Sequence, residues 1–254
     1  MILAIIQARM GSSRLPGKVL MPLLDKPILG HLLDRLRPSK KVTEFIVATT
    51  TNPEDQAIVD YCNQRHVKVY QGSDWDVLDR FYQAALFCGA QAGDTIVRIC
   101  CDNPLHSWKV MDQVIALYDT WGVDYCSNSN HEPDFLEDGF DVEVTSFDAL
   151  SQAHADATLL SEREHVMPFI KNCGRFKLGW KKTNANYRFK FSVDTTDDFK
   201  MAETILSRLA HVPDFSIDEV TELILKDPAL LQINASSTIN SGYHKSLRED
   251  KKIL

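Results

Sequence analysis

The 254-residue chain contains no apolar segment near the roughly 20 residues that a membrane span requires. Its N-terminal apolar stretch runs only from Met1 to Ile6, with no charged segment ahead of it. Neither a spanning helix nor a secretory leader is expected, and the protein reads as cytoplasmic. A basic excess is also missing: 28 Lys and Arg against 35 Asp and Glu leave a formal net charge of -7. Binding a nucleic acid polymer needs a basic face that releases counterions, so no nucleic acid partner is expected. The six cysteines, at 62, 88, 100, 101, 126 and 173, include no C-x-x-C and no His/Cys spacing of the zinc type. They read as reduced, partly buried thiols. Neither G-x-x-x-x-G-K-[ST] nor G-x-G-x-x-G occurs near the N-terminus, which removes support for a Walker-type nucleotidase or a dinucleotide site. No internal repeat or low-complexity tract stands out.

What is present is an ordinary globular composition, 44% hydrophobic and 25% charged, able to bury a sizeable core. Strand and helix patterns alternate four times with short connections. Ile2 to Ile6 reads as a buried strand, followed by a helix through Ile28, Leu29, Leu32, Leu33 and Leu36 that ends at Pro38. "EFIVATT" is a second strand, with Asn52 and Pro53 suited to open the next helix. "VKVY" and a helix through Val77, Leu78, Phe81, Ala84 and Ala85 follow, then "TIVRICC" and a helix capped by Ser107. Such alternation predicts an α/β fold, a doubly wound and mostly parallel sheet covered on both faces.

Residues 123–192 are less regular and read as an inserted α+β segment, a lid or a dimerisation element. Within it "DVEVTSF" predicts a strand, "SFDALSQAHADA" and "SEREHVMPFIKN" predict helices, and "RFKLGWKK" with "YRFKFSVD" predict an antiparallel pair. Thr196 and Asp197 then cap a helix, and Ser216 with Glu219 forms a capping box for a last one. A single domain over 1–232 is expected, with 233–254 as a polar tail, disordered or serving as an oligomer arm.

The chemistry-bearing stretch is "IIQARMGSSRLPGKVL", residues 5–20, which follows the first strand with Arg9, Arg14 and Lys18 set among Gly11, Ser12, Ser13 and Gly17. Ligands of parallel sheets bind outside the carboxyl ends of the strands. Both this loop and Asp102, at the end of "TIVRICC", fall there. Exposed backbone N–H groups and three cations at a strand-to-helix turn suit a small polyanion such as a triphosphate.

These residues carry a resemblance. "IIQARMGSSRLPGKVL" resembles the N-terminal signature of the CMP-sugar synthetases, the cytidylyltransferases that activate KDO and sialic-type sugar acids. More narrowly, the chain is similar to the SpsF branch of spore coat polysaccharide biosynthesis proteins, through "VATTTNPEDQAIV", "GSDWDVLDRFYQAA", "VRICCDNPL", "DVEVTSFDAL", "EREHVMPFI" and "VDTTDDF" in that order. It departs from that branch in having "CCDNPL" where a Thr-Ala-Asp-Cys-Pro-like run is common, and Thr196 where Pro is usual.

The resemblance implies a GT-A type fold of the nucleotide-diphospho-sugar transferases and the reaction of CTP with a sugar acid to give a CMP-sugar and pyrophosphate. It further implies Mg²⁺ on Asp102 and Asp194, phosphate contacts from Arg14 and Lys18, and a homodimer. Ala8, Arg9, Gly11, Ser12 and Ser13 would join them around the nucleotide, with Asp79, Arg80 and Arg98. Glu143, Arg163, Glu164 and His165 would face the sugar. Two other readings stand beside this one. Asp74-Trp75-Asp76 is a D-x-D of the kind by which glycosyltransferases of this fold hold the metal of a nucleotide-sugar donor. An inactive relative acting as a partner in a polysaccharide pathway is the second.

Overall fold

Strand β1 (Ile2–Gln7) is the axis of the molecule because its interior, Leu3 to Ile6, is apolar on both faces and fully buried. The computed structural model describes residues 1–129, 138–182, 189–239 and 241–253. A small hairpin, β2 (Pro22–Leu23) with β3 (Lys26–Pro27), leads into helix α1 (Ile28–Leu36). There follow β4 (Glu44–Thr50), α2 (Gln56–Gln64), β5 (Lys68–Gly72), α3 (Val77–Phe87), β6 (Thr95–Cys100) and α4 (Trp108–Trp121). Asn52 precedes a short 3-10 turn at Pro53–Asp55 rather than α2 itself. Ser107 caps α4 as expected, accepting a bond from the Lys109 amide at 3.2 Å.

The described strands within 123–192 join this layer. These are β7 (Tyr125–Ser127), β8 (Glu143–Ser146) and β9 (Leu178–Trp180), part of the same seven-stranded sheet, in the order β5-β4-β1-β6-β8-β7-β9. β8 runs antiparallel to both β6 and β7, while β9 pairs parallel with β7. Among the described residues, the antiparallel partner expected for β9 in "YRFKFSVD" is not found. Tyr187 and Arg188 lie outside the described residues, and no strand is formed over Phe189–Asp194.

The helices after β8 are α5 (Phe147–Asp156), α6 (Leu160–His165), α7 (Pro168–Asn172), α8 (Thr196–Arg208) and α9 (Ile217–Lys226). The single helix expected over "SEREHVMPFIKN" is broken into α6 and α7. Val166 takes a left-handed φ of 70°, which ends one helix, and Pro168 opens the next. At α8 the cap is Thr195, one residue before the expected position, in a reciprocal capping box with Asp198. The Glu219 carboxylate closes its half of the expected box on the Ser216 amide at 2.7 Å.

Period-two alternation along the strands divides the core. Ala4 and Ile6 of β1 pack with Leu32, Met111 and Ile205 of α1, α4 and α8 on one face; Leu3 and Ile5 pack with Phe81, Leu150 and Ile170 of α3, α5 and α7 on the other. Each fully buried aliphatic side chain is worth roughly 1.5–3 kcal/mol. No helix among the described residues is long and apolar enough to cross a membrane.

The polar tail, expected as a disordered segment or an oligomer arm, folds back. Helix α10 (Ser241–Arg248) packs against α6, Ser161 donates to Asp250, and Leu159 bridges to Lys252. The register of the sheet fixes where ligands can meet it. Gln7 lies opposite Cys100, so β1 and β6 end side by side and deliver residues 8–18 and Asp102 to one edge.

Candidate active site

The loop after β1 is anchored by buried groups rather than left loose. Ala8 N donates to the Ala48 carbonyl at 3.2 Å, and Met10 N donates to Asp55 Oδ1 at 2.6 Å. Asp55 is itself almost wholly buried and also accepts from the Thr50 hydroxyl. The amides of Ser12 and Gly17 both donate to the Met10 carbonyl at 2.8 Å, which folds residues 10–17 into a closed loop. Gly17 has a φ of 72°, a left-handed conformation that a side chain would strain, and it starts a 3-10 turn over Lys18–Leu20. That turn buries Val19 and directs Lys18 inward.

Lys18 is the centre of the site. Its ammonium donates to Asp102 Oδ2 at 2.9 Å, to Asp194 Oδ1 at 3.0 Å and to the Val193 carbonyl at 2.6 Å. Residues 193 and 102 are held together by a backbone bond from Val193 N to the Asp102 carbonyl, 2.8 Å. Burial acts to lower the Lys18 pKa, but the two carboxylates outweigh it and the net shift is upward, so the ammonium is fixed in its charged form. Asp194 also pairs with Arg14 at 2.7 Å and with Lys190 at 3.1 Å. Burial would raise its pKa; Lys18 and Lys190 overcome that and hold it at about 2.

These groups border a cleft of about 690 Å³. Ala8, Arg9, Ser12, Ser13, Arg14 and Lys18 form one wall, with Asp102 and Asp194 beside them, and Arg80, Glu164 and His165 also reach it. Arg80 is buried, donates to the Ser73 carbonyl at 2.7 Å, and leaves its Nε without a hydrogen-bond partner among the described residues. Burial, then the neighbouring Arg9, lowers its pKa to about 10, still cationic at neutral pH. Burial pushes His165 down to about 4, so its imidazole is neutral; Nε2 lies 3.9 Å from the Glu164 carboxylate. Cys100 and Cys101 line the cleft as well, but burial raises both thiols, Cys100 to about 12, and neither supplies a thiolate nucleophile.

Five expected residues are not on this lining, and each has a local reason. Gly11 sits in the loop facing Glu54 instead. Asp79 accepts from His154 of α5 at 2.9 Å and from Gln83. Arg98 lies beneath the cleft, donating to Gln7 Oε1 and to Glu143, the residue opposite it in the β6–β8 pairing. Glu143 is correspondingly occupied: it also accepts from the Tyr125 hydroxyl at 2.6 Å and lies 3.5 Å from Lys171 Nζ. Against the effect of burial, Lys171 and Arg98 hold its pKa at about 2. Arg163, expected to face a sugar, is 4% exposed and grips Asp76 through Nε and Nη2. The structure thus places Arg98 and Glu143 in a buried network and Arg163 in a clamp between α6 and the start of α3.

The Asp74-Trp75-Asp76 run does not present a metal motif. Asp76 is spent on Arg163 and on capping α3 through the Asp79 amide at 2.9 Å. Asp74 pairs with Arg9 at 2.9 Å, and the helix starts at Val77.

The Asp102–Asp194 pair fits a hard dication by the chemistry of its donors. Among the described residues no group of three His, Cys, Asp or Glu side chains is placed to hold a metal. Mg²⁺, however, is usually held by one or two carboxylates with phosphate oxygens completing the shell. Here two carboxylates and a carbonyl converge on one cation, the Lys18 ammonium, which stands in for it.

Two groups of residues were not singled out from sequence. Lys190 sits four residues before Asp194 and binds it together with Ser192 and Asp198; the spacing in "KFSVD" was the available signal. Ser246, Arg248 and Glu249 reach the cleft from α10 and the residue after it, and their polar sequence carried none.

Comparison with known proteins shows the family and the fold. A family model described as cytidylyltransferase matches residues 3–239. The chain is 39% identical to an uncharacterized protein of Methanocaldococcus jannaschii over 92% of this chain and 95% of that one. It is 28% identical to the spore coat polysaccharide biosynthesis protein SpsF of Bacillus subtilis, over 89% and 95%. Among solved structures, a cytidylyltransferase from Leptospira borgpetersenii superposes with a TM-score of 0.83 at 30% identity, covering 94% of this chain and 98% of that one. A CMP:2-keto-3-deoxy-manno-octonic acid synthetase solved with CTP shares the fold at a TM-score of 0.58 and 17% identity, over 82% and 98%.

Proposed function

The chain belongs to the cytidylyltransferase family, and from that premise we propose that it transfers CMP from CTP to a sugar acid with release of pyrophosphate. The observation that carries the reading is the convergence of Arg14 and Lys18, from the loop after β1, on Asp102 and Asp194 within one cleft. Relatives matching about half of this chain at 30–32% identity are named as 3-deoxy-manno-octulosonate and 8-amino-3,8-dideoxy-manno-octulosonate cytidylyltransferases, which supports a sugar acid as acceptor.

In the proposed reaction an acceptor hydroxyl oxygen attacks the α-phosphorus and gives up its proton to solvent water, the bond from that phosphorus to the bridging oxygen breaks, and pyrophosphate leaves with the electron pair. Negative charge grows on the non-bridging oxygens and the departing group, so fixed cations facing them lower the barrier. Arg14 and Lys18 take that role toward the β- and γ-phosphates. Arg9 and Arg80, with the backbone of Ala8, lie on the nucleoside side. Mg²⁺ bound by Asp102 and Asp194 would neutralise phosphate charge. Burial keeps the His165 imidazole neutral, and we assign it, with Glu164, to orienting the acceptor.

The test is pyrophosphate release from CTP, UTP and ATP with Mg²⁺ and a panel of sugar acids that includes 3-deoxy-manno-octulosonate. Release from CTP alone, dependent on one acid, supports the reading. Tight binding of a nucleotide-sugar with no binding of CTP would overturn it.

A further inference from the structure

The tightest polar cluster of the cleft is built around a cation of the protein's own. Lys18 is 7% exposed, and its ammonium meets Asp102 Oδ2, Asp194 Oδ1 and the Val193 carbonyl at 2.6–3.0 Å. All three are hard oxygen donors, the set a divalent cation takes. The two carboxylates are not equally compensated. Asp194 also has Arg14 and Lys190, whereas Lys18 is the hydrogen-bond and ion-pair partner found for Asp102 among the described residues. A dication entering this place with the ammonium still in it meets a like charge at contact distance with little water between them. Dropping the ammonium into the protein without a new partner is equally unfavourable, because an unpaired buried charge is costly.

We infer that Lys18 is the resident counter-cation of the Asp102–Asp194 pair, and that the protein takes a divalent metal only together with a polyphosphate that draws the ammonium off the carboxylates. Lys18 is positioned for that exchange: it follows the loop whose Arg9, Ser12, Ser13 and Arg14 line the same cleft, so phosphate oxygens bound there come within its reach. The polyphosphate half of this inference rests on the nucleotide reading above; the counter-cation half does not.

The probe is Mn²⁺, followed as the free aquo ion by electron paramagnetic resonance, with nucleotide-free wild-type protein, Lys18→Met and Lys18→Met/Asp102→Asn. The wild type should show only the weak binding of exposed carboxylates. Lys18→Met should gain one site at least about tenfold tighter, and the double variant should lose it. A single tight Mn²⁺ on the nucleotide-free wild type overturns the inference, as does a folded Lys18→Met that gains no site. Should Lys18→Met fail to fold, the wild type decides alone: with CTP present, Mn²⁺ must bind more tightly than to CTP in buffer, and equal affinity overturns the inference. Calorimetry of CTP with Mg²⁺ separates the two readings. No CTP binding would sink the nucleotide reading, while the Mn²⁺ comparison of wild type with Lys18→Met would still judge the counter-cation.

Discussion

Replacing Arg163 by alanine tests whether this arginine is a structural clamp or a ligand contact. Its Nε donates to both Asp76 oxygens at 3.0 Å, Nη2 donates to Oδ2 at 2.6 Å, and Nη1 donates to the His154 carbonyl at 2.7 Å. Side-chain exposure is 5% for Arg163 and 9% for Asp76, so solvent screening is slight. Truncation leaves a buried carboxylate with the Asp79 amide as its remaining protein donor. Breaking a buried pair from one side costs about 3–5 kcal/mol, which for a chain of this length lowers Tm by on the order of 10 °C. Urea unfolding followed by circular dichroism reads the loss directly. Combining Arg163→Met with Asp76→Ser, which keeps an α3 cap, should cost less than the sum of the single changes by at least about 1.5 kcal/mol. A loss under about 1 kcal/mol for Arg163→Ala, the size of an exposed pair, would refute the clamp.

Arg14→Ala should lower CTP turnover by about 10²-fold or more with little change in Tm, because its contact strengthens only as charge develops on the phosphates; steady-state pyrophosphate assays check this. His106 is buried and neutral, its pKa pushed down to about 4 by burial, with the nearby Arg35 adding to the effect. Between pH 6.5 and 4 the unfolded chain therefore binds a proton that the folded chain does not, so stability falls as pH drops through that window. His106→Gln should flatten this acid limb by about 1–3 kcal/mol; urea midpoints at pH 7 and 5 that parallel the wild type would contradict it. Gly139→Ala should destabilise by several kcal/mol, since its φ is 87° and the new Cβ would sit 2.7 Å from Phe191 Cβ and 2.8 Å from the Phe191 carbonyl carbon; thermal unfolding measures it. Deleting residues 241–254 removes the Tyr243 ring, 5.0 Å from His165, and the Ser246–Glu164 bond. The His165 pKa should then rise from about 4 toward its ordinary 6.5, as NMR titration would show.

Local pattern made the sheet and its cleft-bearing carboxyl edge legible, because a run such as "LAII" has one stable place in an α/β layer and the basic loop must emerge at its carboxyl end. What stayed hidden depends on distant partners. Helix α10 offers little apolar surface of its own, and its docking on α6 is visible only once the two are folded together. The arginines make the same point. Arg14 and Arg163 are alike in sequence, but Arg163 finds a buried aspartate 87 positions earlier, and Arg98 meets Glu143 only through the β6–β8 register.

That difference also sorts the cations by what they can do. Arg9 and Arg14 have side chains 45% and 42% exposed. Ion pairs at such positions are worth at most about 1 kcal/mol, so a phosphate can replace the carboxylate at little cost. Arg98 and Arg163 are held in buried pairs whose opening costs several times more, which removes them from ligand exchange. Lys18 stands between these classes. It is buried like the structural pairs and yet borders the cleft, so only a ligand bringing both a polyanion for its ammonium and a cation for Asp102 and Asp194 can open it without leaving a buried charge uncompensated.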